Sequence, residues 1–255
     1  MAYLSFHFSS RYLAHQTQVC VALPEPNGNP MQERYPVLYL LHGRGDDATS
    51  YLRNSSIERY AQEHQVVVIM PSAETSFYVD GRVGKRFFSY LTKELPVVAR
   101  QWFPISRDKK DTFLAGLSMG GYGALKIGLT LPEHFSGIGV LSAGIRPDQM
   151  PDFMPTEEEN EILHENVRLA FGEAGMDADD IPQELLKKLV QEGREVPPIY
   201  HMEGTMDMLY EMNQDFRTLA RTLPVPYHYE EWEGGHDWIF WEKALDKLFT
   251  EFFGD

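Results

Sequence analysis

Short apolar runs alternate with helix-length amphipathic segments along most of this chain, and that alternation admits very few architectures. Residues 2–9 and 13–23 read as two strands forming a hairpin, followed by the turn-rich Pro24-Glu25-Pro26-Asn27-Gly28-Asn29-Pro30. The run 36–41 is almost wholly apolar, as a strand buried on both faces must be. A helix at 54–64, a strand at 66–70, a helix at 86–103, a strand at 112–115, a helix at 120–131 and a strand at 138–141 follow. In the helix at 86–103, Phe87, Tyr90, Leu91, Leu95, Val98 and Trp102 are expected on one side. Residues 146–196 break the rhythm: they are acidic, carry Met150, Pro151, Phe153, Met154 and Pro155, and read as an insertion with short helices. A strand at 198–203, a helix at 209–222, a strand at 226–232 and a helix at 237–253 close the chain. Right-handed crossovers then give a mostly parallel central sheet of about eight strands, covered by helices on both faces, with an antiparallel N-terminal hairpin. At 255 residues this is expected to be one α/β domain, 1–255, with 146–196 as a cap-like insertion.

Composition narrows the partners. The profile of 43% hydrophobic and 13% aromatic residues is globular, and the formal net charge of −15 argues against a nucleic-acid partner, which needs a clustered basic face. Cys20, the only cysteine, lies in an apolar run and reads as a buried strand residue, so no intrachain disulfide can form. The N-terminus alternates at period two like a strand and lacks the basic start and apolar core of a signal peptide. No stretch has the apolar length to span a bilayer, and the expected address is the cytoplasm.

The chemistry concentrates at Gly116-Leu117-Ser118-Met119-Gly120, between a predicted strand and a predicted helix. A serine on such a sharp turn adopts strained dihedrals, and side chains two residues either way would collide; hence the glycines. The turn lifts the hydroxyl above the sheet, and the helix N-terminus favours negative charge beside it. The bland reading is a Gly-rich turn capped by a serine.

A hydroxyl needs a base to become a nucleophile, and the base needs an orienting acid. After an elbow of this kind, the acid and then the histidine follow on loops beyond later strands. Of nine histidines, only His201, His228 and His236 come late enough. His201 and His228 fall inside predicted strands, whereas His236 lies in Glu233-Gly234-Gly235-His236-Asp237-Trp238, between the last strand and the last helix. Asp207, in Gly204-Thr205-Met206-Asp207, follows a strand directly and is the expected acid; it could also cap the next helix. Asp237 adjoins the base and would point elsewhere, and Glu203 belongs to the strand. The oxyanion donors are expected to be the amide of Met119 and, from Leu41-His42-Gly43-Arg44-Gly45, that of Arg44 with Gly43 as the alternative. His42 reads as a loop brace. There is no Gly-x-Gly-x-x-Gly after a strand, no phosphate loop and no His-Glu-x-x-His, so no metal or organic cofactor is expected.

With these residues in place, the chain resembles the esterase D–like group of α/β-hydrolases, especially the bacterial tributyrin esterases, which act on short-chain acyl esters. The matching segments are Leu40-Leu41-His42-Gly43, Ser76-Phe77-Tyr78-Val79-Asp80, Phe113 through Gly123, Gly204 through Tyr210, and Gly235-His236-Asp237-Trp238. The resemblance implies a serine carboxylesterase for acetyl to butyryl esters, with Ser118 as nucleophile, Asp207 as acid, His236 as base, and the Arg44 and Met119 amides as oxyanion donors. It also makes a homo-oligomer an expectation. Phe77, Tyr78, Met206 and Trp238 are the candidates for crowding the substrate pocket. The same family includes S-formylglutathione hydrolases and overlaps in kind with feruloyl and acetylxylan esterases. The formylglutathione enzymes carry a cysteine-containing segment after the first oxyanion loop, where Arg44-Gly45-Asp46-Asp47 stands here, which argues against that substrate. A different class, a non-catalytic hydrolase-like binding module, would have no reason to keep Ser118, Asp207 and His236 together.

Overall fold

The computed structural model describes residues 1–26, 33–82, 84–150 and 156–254. Eight strands form one sheet: β1 (Ala2–Ser10), β2 (His15–Leu23), β3 (Val37–Leu41), β4 (Val67–Pro71), β5 (Thr112–Leu117), β6 (Gly137–Leu141), β7 (Ile199–Gly204) and β8 (Tyr227–Trp232). Their order is β1-β2-β4-β3-β5-β6-β7-β8. The hairpin β1–β2 pairs antiparallel, as does β2 with β4, and every other pairing is parallel. This is the expected α/β-hydrolase architecture.

The helices are α1 (Ser50–Asn54), α2 (Ile57–Glu63), α3 (Phe87–Ser89), α4 (Leu95–Trp102), α5 (Met119–Thr130), α6 (Glu157–Phe171), α7 (Pro182–Gln191), α8 (Tyr210–Thr222) and α9 (Trp238–Phe253). Strand alternation divides the interior into two cores. Val37, Tyr39 and Leu41 of β3 enter the core under α4, α5 and α8, while Leu38 and Leu40 enter the one under α2 and α9. Every residue of β3, β4, β5 and β6 is buried, which is why their sequences are continuous apolar runs. Cys20 is fully buried on β2.

Two expectations are corrected. The helix at 86–103 is interrupted by a π turn, Tyr90–Glu94, which adds a residue to one turn and rotates α4 about its axis. Leu95, as expected, and Ala99 are therefore the buried positions on α4, while Val98 is only half-buried and Trp102 is 51% exposed against Phe6 and Phe8 at the sheet edge. The insertion is also more regular than expected. α6 has 15 residues and starts with a capping box, in which the Thr156 hydroxyl accepts from the Glu159 amide and Glu159 reaches back to the Thr156 amide. Pro151, Phe153, Met154 and Pro155 of the insertion, and the end of the turn at 27–30, lie outside the described residues.

α6 and α7 sit over α5. Phe171 packs on Phe77 and Tyr122 with ring centroids 5.7 and 6.1 Å apart, the Tyr122 hydroxyl donates to the Asp180 carbonyl at 2.8 Å, and Lys126 pairs with Asp180 at 3.1 Å.

Candidate active site

β5 delivers Ser118 into an unusual backbone conformation, φ 54° and ψ −118°, directly before α5. Two glycines make that turn possible. A Cβ on Gly116 would lie 2.3 Å from the Gly120 carbonyl oxygen, and one on Gly120 would lie 2.1 Å from that of Leu41. The turn is locked through its backbone: Ser118 donates to the Leu141 carbonyl at 2.8 Å, and the Gly144 amide donates to the Ser118 carbonyl at 3.1 Å. Strain held by surrounding hydrogen bonds is typical of functional sites.

The loops after β7 and β8 bring the other two residues to this hydroxyl. Ser118 Oγ lies 2.9 Å from His236 Nε2. On the far side of the ring, His236 Nδ1 faces Asp207 Oδ2 at 2.8 Å and Oδ1 at 3.1 Å. Asp207 is 5% exposed, and its Oδ1 also accepts from the Leu209 amide at 2.8 Å, so it braces its own loop as well. The two loops are tied together, since the Met206 amide donates to the Gly234 carbonyl at 3.0 Å. Trp241 meets the His236 ring edge-on, with centroids 4.9 Å apart. Asp237 is placed elsewhere: it caps α9 by accepting from the Phe240 amide at 3.0 Å. His228 stacks on Tyr200 in the sheet, and His201 is buried among Tyr227 and Asn213.

The loop after β3 is braced carbonyl by carbonyl. Tyr51 Oη donates to Leu41 at 2.9 Å and Tyr78 Oη to His42 at 2.7 Å. His42 Nε2 accepts from the Ala73 amide at 2.9 Å, which leaves Nδ1 to donate to the Gly43 carbonyl at 2.7 Å. Burial pulls the His42 pKa down, consistent with a neutral brace. Met119 is the first residue of α5, so its amide has no carbonyl within the helix. Met119 and Arg44 both line the cavity that contains Ser118 and His236.

That cavity has a volume of about 370 Å³, and its walls include Phe77, Leu117, Met150, Met208, Leu209 and Trp241. Its polar wall carries Arg44 and Asp46, and burial pushes the Asp46 carboxyl up. Of the four residues expected to crowd the pocket, only Phe77 lines it. Tyr78 is fully buried beneath the loop after β3, Met206 is 72% exposed, and Trp238 packs on Tyr51 and Trp241 behind the wall. Phe77 and Tyr78 both have positive φ, 49° and 58°, a reversal that sends neighbouring side chains to different places. Sequence reasoning passed over Trp241 and Leu209, although each lies within five residues of an expected site residue.

A serine hydroxyl, an imidazole and a buried carboxylate joined in this order can carry out nucleophilic acyl transfer. Among the described residues no cluster of His, Cys, Asp and Glu is arranged to hold a metal ion, and no helix is long and apolar enough to cross a membrane.

Comparison with known proteins identifies the family. A family model described as "Putative esterase" matches residues 10–252. An acetyl esterase of Caldicellulosiruptor saccharolyticus is 32% identical, over 98% of this chain and 97% of that one. A substrate-bound structure of the Staphylococcus aureus fluorophosphonate-binding serine hydrolase F superposes with a TM-score of 0.89, at 32% identity over 100% of this chain and 99% of its own. The apoenzyme of an S-formylglutathione hydrolase from the same organism gives 0.84, at 33% identity over 98% of both chains. The chain therefore belongs to this esterase family and is a serine esterase of the α/β-hydrolase fold.

Proposed function

We propose that the protein hydrolyses short-chain acyl esters through an acyl-enzyme on Ser118. His236 takes the Ser118 proton as the hydroxyl attacks the ester carbonyl, Asp207 holds the ring in the required tautomer, and the Arg44 and Met119 amides receive the oxyanion. His236 then gives its proton to the leaving alcohol. Water, activated by the same imidazole, releases the acid and restores Ser118. The observation that carries this reading is the continuous chain Ser118 Oγ, His236 and Asp207, with contacts of 2.9 and 2.8 Å.

The preference for acetyl to butyryl groups is supported by the confined cavity of about 370 Å³, with Phe77 held from behind by Phe171. The name of the acetyl esterase relative supports it too. Hydrolysis of nitrophenyl acetate, butyrate, octanoate and laurate by the wild type and by Ser118→Ala tests both parts. Burst kinetics on the short esters, abolished in the variant, are expected. Faster turnover of laurate would overturn the acyl preference, and turnover surviving in the variant would overturn the nucleophile.

A second reading is favoured by the S-formylglutathione hydrolase neighbour, namely thioester hydrolysis by the same site. A kcat/KM on S-formylglutathione above that on nitrophenyl acetate would select it. A cytoplasmic address and a homo-oligomer belong to the proposal as well, and cell fractionation and the mass in solution test them.

A further inference from the structure

β7 carries two completely buried polar side chains on one face, His201 and Glu203, both 0% exposed. His201 is fully partnered, with Tyr227 Oη 2.8 Å from Nδ1 and Asn213 Oδ1 2.9 Å from Nε2. The Asn213 amide group donates to the carbonyls of Ala143 and Leu209, both at 2.9 Å, so its oxygen must accept. His201 Nε2 therefore carries the ring proton, and burial pulls its pKa down to about 3, so the ring is neutral.

Glu203 is provided for differently. No donor among the described residues makes a well-formed hydrogen bond to either of its oxygens. His201 Nε2, 3.8 Å away, is already committed to Asn213. The other charged or titratable groups around it are Asp207, Glu231 on the paired strand β8, and the phenols of Tyr227 and Tyr229. The nearby Arg217 is engaged by Glu231 at 3.2 Å. Burial first, and then the charge and hydrogen bond of Asp207, push the Glu203 carboxyl well above the usual range, and the Gly204 amide only partly offsets this. Asp207 has the opposite surroundings: the Leu209 amide at 2.8 Å and His236 Nδ1 at 2.8 Å both face it. Between two adjacent carboxyls that share one proton, the one with the donors keeps the charge.

We propose that Glu203 is a positioning residue, a neutral carboxylic acid that donates a hydrogen bond to the Asp207 carboxylate and fixes how Asp207 receives the His236 ring. The inference rests on the reading of Asp207 as the acid of the site. A donor behind a carboxylate also spreads its charge. Removing it strengthens the hold of Asp207 on a protonated His236, which moves the acid limb of the kcat/KM profile to higher pH.

Two variants separate the donor from mere packing. Glu203→Met keeps an unbranched side chain of similar size without a donor. It is expected to lower kcat about tenfold with little change in KM, the worth of roughly one hydrogen bond, and to shift the acid limb upward. Glu203→Gln keeps an N–H donor toward Asp207 and is expected to restore kcat to within about threefold and the limb to its wild-type position. Infrared spectra of the wild type at neutral pH are expected to show the carbonyl stretch of a protonated, buried carboxylic acid, and Glu203→Gln to lack it. A folded Glu203→Met with wild-type kcat and pH profile would overturn the proposal, as would a wild type without that band. The band decides even if Glu203→Met does not fold. Asp207→Asn with undiminished turnover would instead remove the underlying assignment of the acid while leaving the band in place.

Discussion

The elbow and the insertion meet over one cavity but are built by opposite means. Around Ser118 the contacts run from backbone to backbone: β5 is buried along its whole length between β3 and β6, and the glycines let main chains approach where no Cβ fits. The described part of the insertion is attached through side chains, chiefly Phe171 on Phe77 and Tyr122, and Lys126 with Asp180. Backbone placement leaves a nucleophile almost no freedom, whereas side-chain placement lets a pocket wall be rebuilt one residue at a time. On the proposed reading, chemistry sits on the first kind of structure and acyl selection on the second.

Ser118→Ala gives the largest expected effect, a loss of up to about 10⁶ in kcat on nitrophenyl butyrate, with the melting temperature nearly unchanged because the backbone of the turn is kept. Loss of both activity and stability would mean that the hydroxyl braces the elbow, and the contrast between the two regions would weaken.

The sheet beneath the elbow also carries a pH liability. Unfolded, His201 takes up a proton below about 6.5. In the native protein it resists protonation until about pH 3. The unfolded chain thus binds more protons across that window, so the stabilisation is complete above it and is lost as the pH falls through it, on the order of 5 kcal/mol in all. Urea unfolding at pH 7 and pH 4 measures this, and His201→Gln is expected to flatten the difference while lowering stability at pH 7. Equal pH dependence in both proteins would show that His201 does not stay neutral.

What could be read from the sequence divides along the same line. Ser118, Asp207 and His236 could be picked out because each is named by a local feature: a Gly-flanked serine between strand and helix, an acid just past a strand, a histidine in a glycine loop. The structure brings all three within hydrogen-bonding distance. The four central strands, β3 to β6, were legible for a related reason, since burial on both faces writes itself as an uninterrupted apolar run. The pocket wall was not. Met206 and Asp207 are neighbours in one loop, yet one is 72% exposed and the other 5%, and the direction of a loop side chain is set by dihedrals that composition does not encode. The π turn at Tyr90–Glu94 left no local sign either, so Phe87, Tyr90, Leu91 and Leu95 are buried as expected but Val98 and Trp102 beyond it are not. The burial of Glu203 and Asn213 is not legible because a polar residue in a strand or helix reads as solvent-facing until its partners, such as His201 and the Ala143 carbonyl for Asn213, are known.

Gly120→Ala tests the elbow as a backbone structure. The new methyl would sit 2.1 Å from the Leu41 carbonyl oxygen and 2.8 Å from that of His42. Neither is the end of a flexible side chain, so α5 must move, at an expected cost of about 3 kcal/mol. The loop after β3, which on the proposed reading carries an oxyanion donor, would shift with it, so kcat should fall even in the fraction that remains folded. A variant with wild-type melting temperature and kcat would show that this main-chain packing is slacker than the contacts imply.

The smallest expected effect lies where the two regions touch. Lys126 projects from α5, is nearly buried, and holds the insertion through Asp180 at 3.1 Å and through the carbonyl of Asp179. Lys126→Met keeps most of the packing and removes the charge, leaving Asp180 in a partly screened position. Removing the cation of so largely buried a pair is expected to cost about 2 kcal/mol, which for a chain of this length is a fall of about 4–8 °C in melting temperature. If the insertion is an attachment and not part of the catalytic frame, kcat on nitrophenyl acetate should stay within about twofold of wild type. The ratio of octanoate to acetate turnover should rise as Phe171 and Phe77 gain freedom. A fall in kcat without any change in that ratio would mean that α5 transmits the disturbance to Ser118, and that the insertion and the elbow form one mechanical unit.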